Sequence, residues 1–282
     1  MIERTENIVT TDDKSFALGG LLSKGAQPKW FHPETKRYIK EDYYGYESLA
    51  EWLVSLVLNT CTNLDKDWIV PYHLCLVNGK EGCYSYDFKR EGEDELTLLY
   101  LLENSELKLD RNLSQLTGKP LTQSLDIVCS ALESMLGKRF DDDLKLLFAI
   151  DAFFLNEDRH YNNVSILRDK NGNCRLAPCF DNGMSLMSRV TQYTFSQNIR
   201  SQLKYAKPVI FTSDFSKHLK LYDGKPFIYK SKVESLIQSL REIDSREVDR
   251  AATILNIQLR NKYTQKLFIT EEPGLTKSSI FS

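Results

Sequence analysis

Apolar positions recur along this chain in two periods. Over residues 46–59, Leu49, Trp52, Leu53, Leu56 and Val57 fall on one face of a 3.6-residue turn, which predicts the first long helix. Before it, Trp30-Phe31-His32 and Arg37-Tyr38-Ile39-Lys40 flank Pro33-Glu34-Thr35-Lys36 and read as a hairpin. After it, residues 69–77 and 82–88 are strand-like and joined through Asn78-Gly79, a pair suited to a tight hairpin turn. Residues 1–18 are polar with little period and read as a lead-in or a short edge strand. A polar acidic stretch, residues 89–95, then separates strands from helices. Leu125, Val128, Cys129, Leu132, Met135 and Leu136 make one helical stripe closed by Gly137. Asp141-Asp142-Asp143 open the next helix at the end that favours negative charge, and Leu144, Leu147, Phe148 and Phe154 give it an apolar face. Asp151 interrupts that face; it either takes partners from loop N–H groups or His160, or reaches solvent beside the stripe. Residues 164–167 and 174–177 flank a polar turn, residues 183–208 have no period, and two helical patterns close the chain, one with Val233, Leu236, Ile237 and Leu240, the other over 248–267. The last dozen residues read as a loose tail.

Composition narrows the class. At 282 residues the chain holds one two-lobed domain or two small ones. With 37 Lys and Arg against 39 Asp and Glu, the formal charge of -2 gives no electrostatic footprint for nucleic acid. The apolar runs, such as 52–58 and 144–155, are too short and too interrupted to insert into a membrane. The first residues lack the basic start and apolar block of a signal peptide, so a cytoplasmic protein is expected, with secretion as an effector left open. Six scattered cysteines contain no Cys-x-x-Cys pair and read as reduced, mostly buried thiols.

Two polar segments then supply candidate chemistry. The predicted Asp151 helix runs into Leu155-Asn156-Glu157-Asp158-Arg159-His160-Tyr161-Asn162-Asn163-Val164, and the strand pair that follows delivers Pro178-Cys179-Phe180-Asp181-Asn182-Gly183. Asp158, Asn163 and Asp181 thereby reach one place. A carboxylate beside an attacking hydroxyl can orient it and take its proton, while an amide oxygen and a second carboxylate hold magnesium on ATP phosphates. The spacing from Asp158 to Asn163 and the later Asp181-Asn182-Gly183 match the order of a eukaryotic-type kinase signature. Asp-x-x-x-x-Asn alone matches many ordinary turns, so the combination carries the reading. His160 is expected to brace the loop beside Asp158, since only four histidines occur and none stands at ligand spacing to it. Upstream, Gly19-Gly20-Leu21-Leu22-Ser23-Lys24-Gly25-Ala26-Gln27-Pro28-Lys29 offers backbone N–H groups and lysines to phosphates, without matching a Walker or Gly-x-Gly-x-x-Gly pattern. Lys40 is the candidate for the α- and β-phosphates. Glu47, in the first turn of the following helix, is expected to pair with it; Glu51 competes one turn later. Tyr86, Asp87 and Phe88 end a strand whose free backbone can meet adenine.

The chain resembles the HipA-like serine/threonine kinases, above all the short stand-alone members of the CtkA type. Gly25-Ala26-Gln27-Pro28-Lys29, Lys40, Glu47, Asn156-x-Asp158-x-His160-x-x-Asn163 and Ala177-Pro178-x-Phe180-Asp181 carry the resemblance, in order over most of the chain. It implies an α+β, two-lobed protein-kinase-like fold: a small β-rich lobe over residues 1–88 with the phosphate loop and lysine strand, and a mainly helical lobe over 89–282. It implies Asp158 as catalytic base with His160 beside it, and Asn163 and Asp181 as Mg2+ ligands. ATP would be bound by Ser23, Lys24, Gly25, Ala26, Gln27, Lys29, Lys40, Glu47, Tyr86, Asp87, Phe88, Asn163 and Phe180. The implied activity is transfer of the γ-phosphoryl group of Mg-ATP to a Ser or Thr hydroxyl of a protein, by a toxin or effector that also phosphorylates itself. Ser23 lies one position closer to the glycine than the family's autophosphorylated serine. The extra N-terminal subdomain of the longer members is absent from this sequence, so an antitoxin partner is not readable. Two other readings stay open: a kinase of a small molecule or lipid headgroup, because fold does not fix the acceptor, and a non-catalytic nucleotide-binding module.

Overall fold

The computed structural model describes residues 4–8, 10, 16–17, 27–106, 116 and 118–270. Its first part is a six-stranded sheet in the order β1-β5-β6-β4-β3-β2, formed by β1 (Asn7–Ile8), β2 (Phe16–Ala17), β3 (Lys29–His32), β4 (Arg37–Glu41), β5 (Tyr72–Val77) and β6 (Lys80–Tyr86). β1 runs parallel to β5 and the other pairs are antiparallel. The expected edge strand near the N-terminus is therefore β1. Asn78 and Gly79, at φ 51° and 80°, turn β5 into β6 with both central residues left-handed, the geometry that matches strand twist. α1 (Glu47–Thr60) packs on β5 and β6 and buries Leu49, Leu53 and Val57.

The second part is mainly helical. It holds α2 (Leu98–Glu103), α3 (Leu121–Leu136), α4 (Asp141–Phe154), α5 (Ile199–Gln202), α6 (Phe215–Leu221), α7 (Lys230–Leu240) and α8 (Arg246–Leu259). α3 stops at Gly137, at φ 70°, as its stripe predicts. α4 lies at the centre, with Leu144, Leu147, Phe148, Ile150, Phe153 and Phe154 all buried. Each such side chain contributes about 1.5–3 kcal/mol relative to exposure. A three-stranded sheet of β7 (Asp94–Thr97), β8 (Ser165–Arg168) and β9 (Cys174–Leu176) runs beneath the loop that leaves α4. The strands β10 (Ile228–Tyr229) and β11 (Phe268–Ile269) pair in parallel.

Three expectations are corrected. The end of the acidic stretch, read as a separator, is strand β7: Leu96 pairs with Ile166, and Glu95 accepts a 2.8 Å bond from the Ser165 hydroxyl. Asp151 does not reach solvent and is buried. The closing helix ends at Leu259, well before 267, because Thr264 Oγ1 donates to the Gln258 carbonyl at 2.6 Å and Gln265 Nε2 to the Leu259 carbonyl at 3.1 Å. Those side chains satisfy carbonyls that a longer helix would have bonded. The six cysteines form no disulfide, and five are buried. Among the described residues no helix is long and apolar enough to cross a membrane. The last dozen residues of the chain and residues 18–26 lie outside the described residues.

His218 of α6 stacks on Phe148 of α4 at 4.8 Å and sits 3.1 Å from the Ile210 carbonyl through Nε2, which must carry the proton. Its Nδ1 is buried without a partner, and burial lowers the imidazole pKa from 6.5 to about 4. The unfolded chain thus binds more protons than the folded one between these values. The stabilisation is complete above pH 6.5 and is lost as pH falls toward 4. His218→Gln keeps a donor but cannot be charged. Urea unfolding from pH 7 to pH 4 should show the wild type losing up to about 3 kcal/mol more than this variant. Parallel curves would refute the assignment.

Candidate active site

The site begins where α4 ends. Leu155 takes a left-handed conformation (φ 57°), and the Asn156 N–H returns to the Asp151 carbonyl at 2.8 Å, so the chain turns sharply out of the helix. Asn156 is fully buried: its Nδ2 donates to Asp151 Oδ1 at 3.0 Å and its Oδ1 accepts the Asp158 N–H at 3.1 Å. The loop closes on itself through His160 N to the Asp158 carbonyl, Asn163 N to the His160 carbonyl and Asn163 Nδ2 to the Asp158 carbonyl, each 2.8 Å. With its amide nitrogen anchored, Asn163 has its side-chain oxygen without a hydrogen bond among the described residues, an atom that could serve as a ligand.

Arg159 holds this loop to Asp181. Its guanidinium is buried and donates to Asp151 through Nε at 3.0 Å and Nη2 at 3.0 Å, to the Asn163 carbonyl at 2.9 Å, to the Phe180 carbonyl at 2.5 Å and to Asn182 Oδ1 at 2.7 Å. Burial opposes its charge, but Asp151 outweighs burial and raises the pKa. The partner of Asp151 is therefore the Arg159 side chain with Asn156, not His160. Sequence reading passed over Arg159. Its signal was a buried-face acid followed by a lone arginine in the next loop, since a buried carboxylate requires a cation or donors.

Across the cleft, Lys29 of β3 and Lys40 of β4 are register partners. Like charges placed opposite one another repel unless an anion lies between them. Asp181 supplies it: Lys40 Nζ donates to Oδ1 at 2.7 Å, and Lys29 Nζ lies 3.2 Å from Oδ2 and 3.4 Å from Oδ1. Burial alone would raise the Asp181 carboxyl, but the two ammonium groups outweigh it and hold it well below the usual carboxylate range. Lys40 also donates to Glu51 Oε1, and its ammonium lies 5.2 Å from the centre of the Tyr72 ring. Burial opposes the Lys40 charge, and Asp181 and Glu51 together raise its pKa despite that. The Tyr72 hydroxyl accepts the Asp181 N–H at 3.2 Å, and Glu51 Oε2 accepts the Asn182 N–H at 2.7 Å.

Glu47 does not pair with Lys40. Both of its oxygens are used by the loop before α1, accepting the N–H of Tyr44 at 2.6 Å and of Gly45 at 3.0 Å. The residue one turn later makes the ion pair. Successive strand residues face opposite sides, and Tyr86 shares the face of Ile39 and Tyr84, away from Lys40, with the Arg37 guanidinium 5.3 Å from its ring centre. The Asp87 N–H is taken by the Lys36 carbonyl at 2.8 Å. Phe88 does face the cleft: its ring is 5.2 Å from Phe180, beside Val70, Tyr72 and Cys83. Ser23, Lys24, Gly25 and Ala26 lie outside the described residues. Gln27 lies within them, and its Nε2 is buried with no hydrogen-bond partner, a donor waiting for an acceptor.

Asp158 stands half-open to solvent. Burial pushes its carboxyl above the ordinary range; His160 opposes this, Asp181 adds to it, and Lys29 and Arg189 oppose it. The His160 imidazole makes no hydrogen bond: Nε2 is 4.0 Å from Asp158 Oδ2 and Nδ1 is buried without a partner, so the backbone braces the loop. Among the described residues no group of three His, Cys, Asp or Glu side chains gathers to hold a metal. A cation here would rest on Asp181 and Asn163 and take its remaining ligands from phosphate and water, the sparse coordination that Mg2+ favours. A cavity of 960 Å³ elsewhere, between the first turn of α1, Leu74 and Val248, contains none of these residues.

Removing one partner of the buried Arg159–Asp151 pair leaves an uncompensated charge. Arg159→Ala should lower the unfolding free energy by about 3–5 kcal/mol, with Asp151→Asn nearer the low end because Asn156 and Arg159 retain an acceptor. Chemical denaturation of both variants checks this, and a loss below about 1 kcal/mol would show a solvated pair. Glu51→Gln should weaken nucleotide binding through Lys40, whereas Glu47→Gln should lower stability by about 1–3 kcal/mol with less effect on the nucleotide. Equal losses of nucleotide affinity in titration calorimetry would reverse the Glu51 assignment.

No protein-family model matches the chain, and no curated protein matches it. In structure it is similar to CtkA, a proinflammatory kinase of Helicobacter pylori, at 16% identity over 89% of this chain and 94% of that one, with a TM-score of 0.56. It also aligns with HipA of Shewanella oneidensis MR-1, solved in a toxin–antitoxin complex with HipB and operator DNA, at 13% identity and a TM-score of 0.45 over 84% of this chain and 63% of that one. The likeness to CtkA agrees with the HipA-like resemblance in the sequence motifs. The chain has an α+β fold of the kinase type, with a small sheet lobe facing a helical one.

Proposed function

We propose that this chain is an ATP- and Mg2+-dependent kinase that transfers the γ-phosphoryl group to a Ser or Thr hydroxyl of a protein. The observation that carries the reading is the convergence of two cross-strand lysines on Asp181, with Asp158 and Asn163 fixed beside it by one buried arginine. Asp181 and Glu51 compensate the two facing ammonium groups, and a polyphosphate is an anion that can replace Asp181 between them. The Gln27 amide, without a partner among the described residues, adds a donor two positions before Lys29.

Each residue then has a task. Lys40, held by Glu51, donates to phosphate oxygens without drifting into solvent. Asp181 and the Asn163 amide oxygen would hold Mg2+, which when bound supplies positive charge to the oxygens of the transferred group. Asp158 accepts a hydrogen bond from the acceptor hydroxyl, orients it in line and takes its proton as the new O–P bond forms. Its raised pKa brings it nearer the operating pH, which favours proton acceptance over permanent ionisation far below it. Phe88 and Phe180 offer an apolar wall for a purine.

The two acids should separate by role. In Asp158→Asn, Mg-ATP affinity should stay within about threefold while transfer falls by at least about a hundredfold, because the lost interaction belongs to the transition state. In Asp181→Asn, affinity and transfer should fall together. Titration calorimetry with Mg-ATP, run beside a transfer assay with labelled ATP and cell lysate, measures both. If Asp158→Asn abolishes binding while Asp181→Asn keeps full activity, the roles are misassigned. Label found only in a lipid or metabolite fraction would move the acceptor from protein to small molecule.

A further inference from the structure

The segment that follows Asp181 carries a guanidinium that meets no acid. Arg189 forms no ion pair among the described residues, and its Nε is buried without a hydrogen-bond partner. Its Nη2 touches the Met184 sulfur at 3.8 Å, and its guanidinium lies 5.0 Å from the centre of the Tyr44 ring. The Met184 carbonyl accepts the N–H of Glu157 at 3.2 Å, so the residue that Arg189 touches is bonded to the residue that precedes Asp158. Its charge acts on both carboxyls, lowering the pKa of Glu157 and of Asp158 against the effect of burial.

The position is fixed by backbone. Gly45 and Arg189 form an antiparallel bridge, flanked by Val190 N to the Tyr44 carbonyl at 3.1 Å and Tyr46 N to the Ser188 carbonyl at 3.3 Å. A side chain at residue 45 would meet the Ser188 carbonyl at 2.0 Å, so only glycine permits this approach. Arg159, Arg139 and Arg175 of the helical lobe each meet an acid, Asp151, Asp141 and Glu93, and Arg250, whose Nε is likewise buried without a partner, bonds Gln202 and lies away from the Asp158 loop. With Nε buried and Nη2 on Met184, the Nη1 donors of Arg189 make no hydrogen bond among the described residues and are the ones left to meet a carboxylate oxygen. It stands on the Glu157–Asp158 side, where an acceptor hydroxyl must enter, while Lys29 and Lys40 gather at Asp181. An acidic group entering there without Arg189 would face two carboxylates.

We propose that Arg189 selects the acceptor by binding an acidic side chain next to the target hydroxyl, so that the substrates are polypeptides with Asp or Glu flanking the Ser or Thr. The proposal rests on the protein-kinase reading above. Two serine peptides that differ only in carrying Asp or Asn beside the serine, with a third carrying Lys, test it in two readouts. One is kcat/KM for transfer with the full chain and Mg-ATP; the other is binding by fluorescence anisotropy with Mg-ADP, which needs no transfer. The wild type should prefer the Asp peptide by about 10–100-fold, the worth of a charge-assisted hydrogen bond. Arg189→Gln should bring the ratio near one, Arg189→Lys should keep part of it, and Arg189→Glu should move the preference to the Lys peptide, which loss of structure alone would not do. A wild type indifferent to the flanking acid in both readouts overturns the proposal, as does a preference unchanged in Arg189→Gln. Binding preference lost in Arg189→Gln, with no transfer to any peptide, upholds Arg189 and refutes the kinase reading. Transfer without preference does the reverse.

Discussion

One buried guanidinium sets the geometry on which the rest of the site depends. Arg159 spends its donors on four separate groups: the Asp151 carboxylate in the central helix, the Asn163 carbonyl at the end of its own loop, the Phe180 carbonyl and the Asn182 amide oxygen. Because guanidinium is planar and its donors point in fixed directions, these partners cannot shift independently. Asp158, Asn163 and Asp181 are thereby fixed relative to one another by an atom group that touches none of their reactive oxygens. A lysine would supply the charge for Asp151 but could not reach all of these acceptors from one point, so the charge alone does not explain the residue.

The cleft above this frame is a balance of close charges. Lys29 and Lys40 face Asp181 and Glu51, and Asp158 stands a little apart with Arg189 behind it. Glu51 is tied at both ends, to Lys40 and to the Asn182 N–H, so helix α1 is pinned simultaneously to the sheet and to the chain after Asp181. An anion entering the cleft competes with Asp181 for both lysines. On the proposed reading Asp181 would then take another cation, and the Asn163 side-chain oxygen, whose amide nitrogen is tied to the Asp158 carbonyl, would be a second ligand for it. Nucleotide and metal would on that reading be coupled through one carboxylate, each compensating the charge that the other displaces.

The order of elements and the candidate loop were legible because each rests on a local rule. Helical period placed α1, α3 and α4; Asn78-Gly79 placed the β5–β6 turn; and the spacing from Asp158 to Asn163 with a later Asp181 singled out the loops that meet at the candidate site. What was not legible depends on partners distant in sequence. Glu47 and Glu51 share a helix face, and the sequence could not show that the loop at Tyr44 and Gly45 would claim the first of them. Strand β7 is acidic because its neighbour β8 supplies a serine to Glu95. Arg159 looked like any polar loop residue until Asp151 proved buried eight positions earlier. Tyr86 is a different case: alternation along β6, counted from Cys83 opposite Lys40, already sends it to the far face.

Glu47, Gly45 and Ser188 show how the two halves of the site are made to move together. The Glu47 carboxylate rigidifies the loop before α1, and that loop, through Gly45, accepts the segment that carries Ser188 and Arg189 at backbone contact. The Ser188 hydroxyl in turn donates to the Gly183 carbonyl at 2.5 Å, returning the segment to Asp181. A closed circuit results: Asp181 to Lys40, Lys40 to Glu51, down α1 to Glu47, across Gly45 to Ser188 and back to Gly183. The Ser188 carbonyl is also the acceptor for the Tyr46 N–H, just before the first turn of α1, at 3.3 Å. The segment that carries Arg189 and the Lys40–Glu51 pair are therefore joined by one continuous path of backbone and side-chain contacts rather than held by separate parts of the fold.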